Sequence, residues 1–512
     1  MRHVLTERRR NVIGVGVMTL AAGTCLAQPL NLAIEKTISR AKVGASVTSV
    51  YAVDLSSGTT LASVRADEAL IPASNQKLLT TGTAMLVLGS DFVFKTEMIL
   101  DGTTLVVRGA GDPALGDPEL LAKRDKPLAV DEVLDFLAGA VAKAGITKVD
   151  RVVIDDRVFD RQLIHSSWPS DQYERTYCAQ VSGLNFRANT LAIFVRPGAG
   201  AGALPLHTTE PAAGWIDIDK RNIRTVSDGK NIISLTRPPN QNRFVLRGEV
   251  KAATQAPIEI TVDQPGLFFG RVLADRLLKA GVAVGSRAAG DPRQYQDPSP
   301  DVVMIDPQAP VTQGRVIAQV TTPLMDVMNR CNVDSQNLYA DCLFKLAGQK
   351  VTGEAGTWDS GASVVRMMLS QKIGPQSVTG ASIVDGSGLS RLNTVSTRSM
   401  GSWLAALAKD SRAGDAFVAT LPTPGEGTLE KRFRGKKPGS EVRGKSGFIN
   451  GVRSLSGYLT AKDSGHRIAY SIIMNQVPGQ FGGEAKDLHE DIIQVLDQWL
   501  SRQDDDRSRV GG

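Results

Sequence analysis

The chain alternates between two kinds of patterning. Leu32, Ile34 and Ile38 recur at helical spacing and predict a first helix from Leu30 to Ala41. Val47 to Val53 then alternates as a strand does. Asp54-Leu55-Ser56-Ser57-Gly58 reads as a hairpin turn, and Leu61 to Val64 as the return strand. Pro72-Ala73-Ser74 precedes an apolar helical face formed by Leu78, Leu79, Met85, Leu86 and Leu88, and Gly89 ends it. From about 93 to 300 short alternating runs dominate, such as Leu105-Val106-Val107-Arg108 and Phe244-Val245-Leu246, with helices near 130–143 and 267–280. Residues 292–301 form a polar, proline-containing linker. Helical periodicity returns at Pro323 and runs past Ser335 to Leu346, placing Cys331 and Cys342 on one helical stretch. Helices near 360–371 and 397–408, strands near 448–460 and 467–474, and an amphipathic helix near 487–500 follow. The pattern divides the chain into residues 28–92 plus 301–502, a β-rich insertion at 93–300, and a polar tail at 503–512 expected to be disordered.

Composition changes this picture little, because 42% hydrophobic and 22% charged residues are ordinary globular usage. Charge changes it more. Arg2, Arg8, Arg9 and Arg10 against Glu7 place half of the formal net charge of +6 in the first ten residues. An apolar run from Val12 to Leu26 follows, and Cys25-Leu26-Ala27 gives a small-x-small cleavage pattern. Residues 1–27 are therefore expected to be a signal peptide, and the mature protein periplasmic, with no later bilayer-spanning segment and at most peripheral contact with membrane or wall. The weakly basic remainder lacks the concentrated basic face of a nucleic-acid binder. Beyond Cys25, the odd set Cys178, Cys331 and Cys342 is no disulfide framework. On one helix Cys331 and Cys342 would stand roughly 16 Å apart, too far to bridge.

Four short motifs carry candidate chemistry. In Ser74-Asn75-Gln76-Lys77 the helical i, i+3 spacing sets an amine beside a hydroxyl. A serine needs a neighbouring base, and a lysine held neutral by burial can be one. By itself the spacing is weak, since Ser39-Arg40-Ala41-Lys42 has it too on a solvated helix face. Ser74 differs in standing at a helix start, where unpaired N–H groups can stabilise an oxyanion. Ser335-Gln336-Asn337 lies at a break between helical stretches. Its hydroxyl can relay a proton, and Asn337 can bind a peptide group. In Lys445-Ser446-Gly447 lysine and glycine share one strand face, the lysine offering charge to a carboxylate and the glycine leaving room for substrate. Asp385-Gly386-Ser387-Gly388-Leu389-Ser390-Arg391 requires a tight turn and presents Arg391 for bidentate contact with a carboxylate. Each motif alone also reads as an ordinary cap, turn or strand start.

In the order S-x-x-K, S-x-N, D-G-S-G-L-S-R, K-[ST]-G, these motifs resemble the penicillin-binding D-Ala-D-Ala carboxypeptidase/endopeptidase family, in its large-insert branch. Gly109-Ala110-Gly111-Asp112-Pro113 and the run Tyr177 to Asn185 agree with it. The resemblance implies an α+β fold: a penicillin-binding/β-lactamase-like transpeptidase domain, with an antiparallel sheet flanked by helices and a β-rich insertion. It implies a serine-type D-Ala-D-Ala carboxypeptidase without metal or cofactor, acting on peptidoglycan stem peptides and covalently inhibited by β-lactams. Ser74 would form the acyl-enzyme, Lys77 accept its proton and Ser335 relay it. Asn337, Lys445, Ser446 and Gly447 would hold substrate, and the N–H groups of Ser74 and Phe448 would bind the oxyanion. An I-D-x-x-x-F stretch, matched by Ile154 to Phe159, is expected over the site, with Asp155, Arg391 and Asn450 around the side-chain amine of the stem peptide. Ser446 replaces the usual threonine, and Asn450 a longer amide.

Two rival readings use the same residues. Gly439 to Ser446 fits a phosphate-binding loop, but the stretch before it is too polar for a buried strand and glycines interrupt any helix after it. A β-lactamase would share Ser74 and Lys77, yet the long insertion between Lys77 and Ser335 is foreign to a compact lactamase, and no dedicated deacylation base is evident.

Overall fold

A computed structural model describes residues 30–290 and 299–510. The proposed signal segment lies outside them. The catalytic half is built on an antiparallel sheet with strand order Glu441–Ile449, Val452–Thr460, Arg467–Asn475, Val47–Asp54, Thr60–Val64. The central strands are buried on both faces. Arg467–Asn475 pairs in continuous register with Val452–Thr460 on one side and Val47–Asp54 on the other.

Two helical layers explain that double burial. The helix at 30–40 and the long helix Gly482–Val510 pack Leu30, Ile34, Leu488, Ile492 and Leu496 against Val50, Leu455 and Ile472. The opposite face carries Gln76–Leu88, Asn337–Thr352, Trp358–Ile373 and Thr397–Ala408. Their core includes Leu78, Leu79, Phe344, Trp403 and Leu404. Gly82 lets two of these helices approach, since a methyl there would stand 2.5 Å from Leu407 and 2.9 Å from Trp403. The fold is thus α+β, as expected.

The insertion holds a mixed five-stranded sheet in the order Val302–Met304, Arg151–Asp155, Thr104–Arg108, Val93–Asp101, Arg315–Pro323. Two three-stranded sheets accompany it. Helices Val130–Lys143 and Pro265–Lys279 pack into its core through Leu134, Leu137, Phe269 and Leu273. The boundary at 300 therefore moves: residues 302–304 and 315–323 complete the inserted sheet, and the catalytic fold resumes at Leu324. Local alternation in 315–323 is too weak to assign the strand, and its pairing with Val93–Asp101 is what fixes it.

Three further expectations are revised. Helix Gly482–Val510 takes in residues 503–510 of the tail expected to be disordered. Its run of Asp, Arg, Gln and Ser carries no helix breaker, so the backbone continues past the apolar stripe. The run 448–460 is two strands joined at Asn450 and Gly451, where Gly451 takes φ = 77°. Cys331 and Cys342 stand on separate helices, Leu324–Val333 and Asn337–Thr352, and with Cys178 are buried free thiols. Among the described residues no helix is long and apolar enough to cross a membrane.

Candidate active site

Ser74 sits in a short 3-10 turn, Ala73–Asn75, that leads directly into helix Gln76–Leu88. Ala73 takes φ = 48°, a conformation that is strained for a residue with a Cβ. The surroundings hold it there. The Asn75 amide, oriented to donate to Lys445 O at 2.8 Å and Ser454 Oγ at 3.1 Å, ties the turn to the edge of the sheet. Ser454 Oγ donates to Pro72 O at 2.7 Å. From the other side the Asp385–Arg391 loop presses in so closely that a methyl on Gly388 would lie 1.9 Å from Ala73 O.

One helical turn on, Lys77 is fully buried. Its Nζ lies 3.2 Å from Ser74 Oγ, 2.7 Å from Asn337 Oδ1 and 2.8 Å from the carbonyl of Ser387. Burial pulls the ammonium below its ordinary value, although nearby Cys331, Asp341 and Asp385 pull it back up. This is the environment in which a lysine can serve as a base.

The second pair faces the first. Lys445, buried on the edge strand, donates to Ser335 Oγ at 2.9 Å and to Ser446 O at 2.6 Å. Burial, reinforced by the charge of Lys77, pushes it well below the ordinary lysine value. Ser335 lies between helices Leu324–Val333 and Asn337–Thr352 and takes φ = 62°. The next helix begins at once, so Asn337 reaches Lys77 with its oxygen. Its nitrogen donates to the carbonyl of Tyr177 at 2.9 Å.

Lys445 and Gly447 share a strand face, as alternation predicts. The reason for the glycine differs from the one expected. A methyl there would stand 2.2 Å from Ser454 Oγ and 3.0 Å from both Pro72 O and Ser74 N, so the missing side chain admits the serine turn itself. Phe448 follows, exposed, with Arg453 stacked 3.9 Å from its ring. Ser446, on the opposite strand face, is partly exposed.

The structure adds supports that short motifs did not reveal. Asp341 is fully buried. Its Oδ1 accepts from Gly386 N at 2.8 Å and Ser387 N at 2.9 Å, which aims the Ser387 carbonyl at Lys77. Asp385 accepts from Gly388 N, Ser390 N, Asn393 Nδ2 and, across the insertion, Trp168 Nε1. An acid in the second turn of a helix, at Asp341, gives no distinctive sequence signal.

Asp155 lies on the inserted sheet beside two arginines. Its carboxylate is buried and taken up by Arg157 at 2.8 Å and Arg108 at 3.6 Å. Burial alone would raise its pKa, but Arg157 and Arg108 hold it below the ordinary value. Phe159, too, is buried, in the core. The inserted segment that meets the site is instead 160–178. Asp160 pairs with Lys345, Ser167 bonds Ser390, Trp168 bonds Asp385, and Tyr177 meets Asn337. The exposed carboxylate in that segment is Asp171. Arg391 and Asn450 do come together, Arg391 Nη1 donating to Asn450 O at 2.7 Å.

The phosphate-loop reading of Gly439–Ser446 fails. The segment is largely strand rather than loop and helix, Lys445 is committed to Ser335, and the N–H groups of Gly439 and Ser440 already donate to Asp497.

A serine beside a buried lysine, opposite a second serine–lysine pair on an antiparallel sheet, defines a serine acyl-transferring enzyme. The chain belongs to the D-Ala-D-Ala carboxypeptidase 3 (S13) family, which it matches over residues 30–503. It is 31% identical over 460 residues to the D-alanyl-D-alanine carboxypeptidase of Actinomadura sp. strain R39, covering 84% of this chain and 78% of that one. It is 23% identical over 427 residues to D-alanyl-D-alanine carboxypeptidase DacB of Haemophilus influenzae, covering 79% and 80%. The crystal structure of penicillin-binding protein 4 (dacB) from Haemophilus influenzae superposes with a TM-score of 0.69 at 20% identity, covering 91% of this chain and 99% of that one. The same relative has been solved with a β-lactam, with a TM-score of 0.65. The chain is thus a serine-type D-Ala-D-Ala carboxypeptidase by family.

Proposed function

We propose that the chain is an exported, periplasmic enzyme that trims peptidoglycan stem peptides through an acyl-enzyme on Ser74. The observation that carries this reading is the convergence of Ser74–Lys77 and Ser335–Lys445, with Asn337 bonded to Lys77. Ser74 Oγ attacks the carbonyl of the penultimate D-alanine and passes its proton to Lys77, whose amine burial favours in the neutral, proton-accepting form. The N–H groups of Ser74 and Phe448 receive the oxyanion where the glycine-sized gap at Gly447 brings their backbones together. Ser335, held by Lys445, delivers a proton to the departing amine. Water then resolves the ester. Asn337 and the exposed side of Ser446 orient the peptide, and Lys445 supplies positive charge toward its terminal carboxylate. The candidates for the charged end of the stem-peptide side chain are the exposed Asp171 and the bonded pair Arg391–Asn450, because Asp155 is already paired with arginines.

β-Lactams enter as mimics of the same acyl donor. Mass spectrometry of the full chain after incubation with benzylpenicillin should show one covalent adduct, on Ser74, that Ser74→Ala abolishes. An unmodified protein, or an adduct elsewhere, defeats the assignment.

A further inference from the structure

Helix Asn337–Thr352 carries a polar line that extends beyond the catalytic pairs. Asn337, Asp341 and Lys345 recur every four residues, so they share one helix face, roughly 12 Å from end to end. Asn337 bonds Lys77, and Asp341 holds the loop whose Ser387 carbonyl also bonds Lys77. Lys345 is buried as completely as Lys77. Its Nζ donates to Asp160 Oδ1 at 2.6 Å and to Gln162 O at 2.9 Å, and lies 4.5 Å from the ring centre of Trp358. Trp358 Nε1 donates to the same Gln162 carbonyl at 3.0 Å. A buried ammonium is costly unless it is paired and hydrogen-bonded. Here its acceptors are the first residues of the inserted segment 160–178.

That segment meets the helix at Gln162 and returns to it at Tyr177, whose carbonyl accepts from Asn337 Nδ2 at 2.9 Å. The base of the segment is tied across, Val181 N donating to Leu163 O at 2.8 Å. A carboxamide is nearly symmetric in shape but not in chemistry. A backbone carbonyl can only accept, and the ammonium of Lys77 can only donate. The Tyr177 carbonyl therefore turns Asn337 with its oxygen toward Lys77, which bonds it at 2.7 Å. A carboxamide nitrogen has two hydrogens, so Tyr177 takes one and a substrate carbonyl can take the other.

Building on the acyl-transfer reading above, we propose that Lys345 is a positioning residue for acyl transfer. By holding the start of segment 160–178 it keeps the Tyr177 carbonyl on Asn337, and so keeps the Asn337 oxygen on Lys77. The route runs from Lys345 to Gln162, across the Leu163–Val181 tie to Tyr177, and back to the first turn of the same helix. Lys345 touches neither Ser74 nor Lys77 in this chain of contacts. Two other roles are open to a buried lysine here. It could anchor the insertion for stability alone. It could also act by charge through Asp341, which is close enough to both Lys77 and Lys345 to influence each. Only the positioning role passes through the Asn337 side chain.

The test is a double-mutant cycle on the full chain, read as the rate constant of benzylpenicillin acylation. Rates are compared per folded molecule, so that lost stability does not enter. Lys345→Met should slow acylation by roughly tenfold in the parent background. Beside Asn337→Ala, whose slow acylation is followed over hours by mass spectrometry, the same change should cost less than about twofold. Trp358→Phe keeps the ring under Lys345 but removes the donor to Gln162 O. It should show the same coupling on a loss of about threefold, and it carries the cycle if Lys345→Met does not fold. Equal losses in both backgrounds, as from an effect through Asp341, would overturn the positioning role, and so would parent-like acylation by the folded variants. With the parent acylated at Ser74, either result removes Lys345 alone. A parent that is not acylated at Ser74 overturns the acyl-transfer reading with it.

Discussion

Lys445 Nζ donates to Ser335 Oγ at 2.9 Å, and Ser335 is held in the left-handed region, φ = 62°, by the helices on either side of it. The hydroxyl is thereby fixed against the buried Lys445 amine instead of turning toward solvent. Ser335→Ala should lower the rate constant of acylation by benzylpenicillin by about a hundredfold. The melting temperature should move little, because one such hydrogen bond is worth about 1 kcal/mol. Stopped-flow acylation beside calorimetry separates the two, and full-speed acylation by the variant would remove Ser335 from proton transfer.

Acylation should depend on pH through Lys77. Only the neutral amine accepts the Ser74 proton, and burial holds Lys77 below the ordinary lysine value of 10.5 against the pull of Cys331, Asp341 and Asp385. The rate constant should rise with pH, with its midpoint below 10.5. Lys77→Ala should remove that rise together with nearly all acylation. A midpoint at or above 10.5 would argue against Lys77 as the base.

Gly447→Ala isolates the approach of strand and serine turn. The added methyl would meet Ser454 Oγ at 2.2 Å and the backbone of Pro72 and Ser74 at 3.0 Å. Strand Glu441–Ile449 must then move away from Ser74 and take Phe448 N with it. We expect a stability loss of roughly 1–3 kcal/mol from overpacking. A loss of acylation of more than about tenfold should accompany it, as for a displaced oxyanion donor. Acylation retained in a destabilised variant would show that the oxyanion donors lie elsewhere.

Asp112 offers a stability test away from the catalytic pairs. It is buried, accepts from Thr322 Oγ1 at 2.6 Å and Ala114 N at 2.8 Å, and burial outweighs both bonds to raise its pKa from 3.8 to about 6. With the folded value above the unfolded one, the folded state binds the extra proton between these limits. The stabilisation is complete below pH 3.8 and is lost as pH rises through about 6. At neutral pH the ionised carboxylate costs about 3 kcal/mol relative to an uncharged group. Asp112→Asn should therefore raise the melting temperature relative to the parent at pH 7.5 and give little or no gain at pH 4. The same increment at both pH values would show that Asp112 does not titrate in this window.

Much of this was legible in the sequence because the relevant contacts are local. Ser74 and Lys77 meet through one helical turn, and Lys445 and Gly447 share a face through strand alternation. Apolar periodicity likewise marks the helices Val130–Lys143 and Thr397–Ala408. What was not legible depends on distant partners. Strand Arg315–Pro323 owes its identity to Val93–Asp101, and Asp341 gains its role from the N–H groups of Gly386 and Ser387. The glycine of Lys445-Ser446-Gly447 looked like room for substrate, but it is room for Ser74. The arginine partners of Asp155 went unseen for the same reason. A short acidic motif does not disclose that arginines from its own sheet and loop will claim it.

That last point separates two carboxylates experimentally. Asp155 is buried between Arg157 and Arg108, so Asp155→Ala removes the carboxylate bonded to Arg157 and leaves Arg108 with Glu97 alone. It should destabilise the fold by roughly 1–3 kcal/mol. Substrate preference among the molecules that remain folded should be unchanged. Asp171 is exposed in the 160–178 segment that covers the site, so Asp171→Asn should leave the melting temperature within about a degree of the parent. Its effect should fall on substrate. The kcat/KM for stem peptides with a free side-chain amine should drop by roughly tenfold, a charge-assisted contact being worth about 1.5 kcal/mol or more. Benzylpenicillin, which lacks that amine, should acylate at the parent rate. The reverse pattern, with Asp155→Ala stable but impaired on amine-bearing peptides and Asp171→Asn silent, would return the recognition role to Asp155 and require Arg157 and Arg108 to release it when substrate binds.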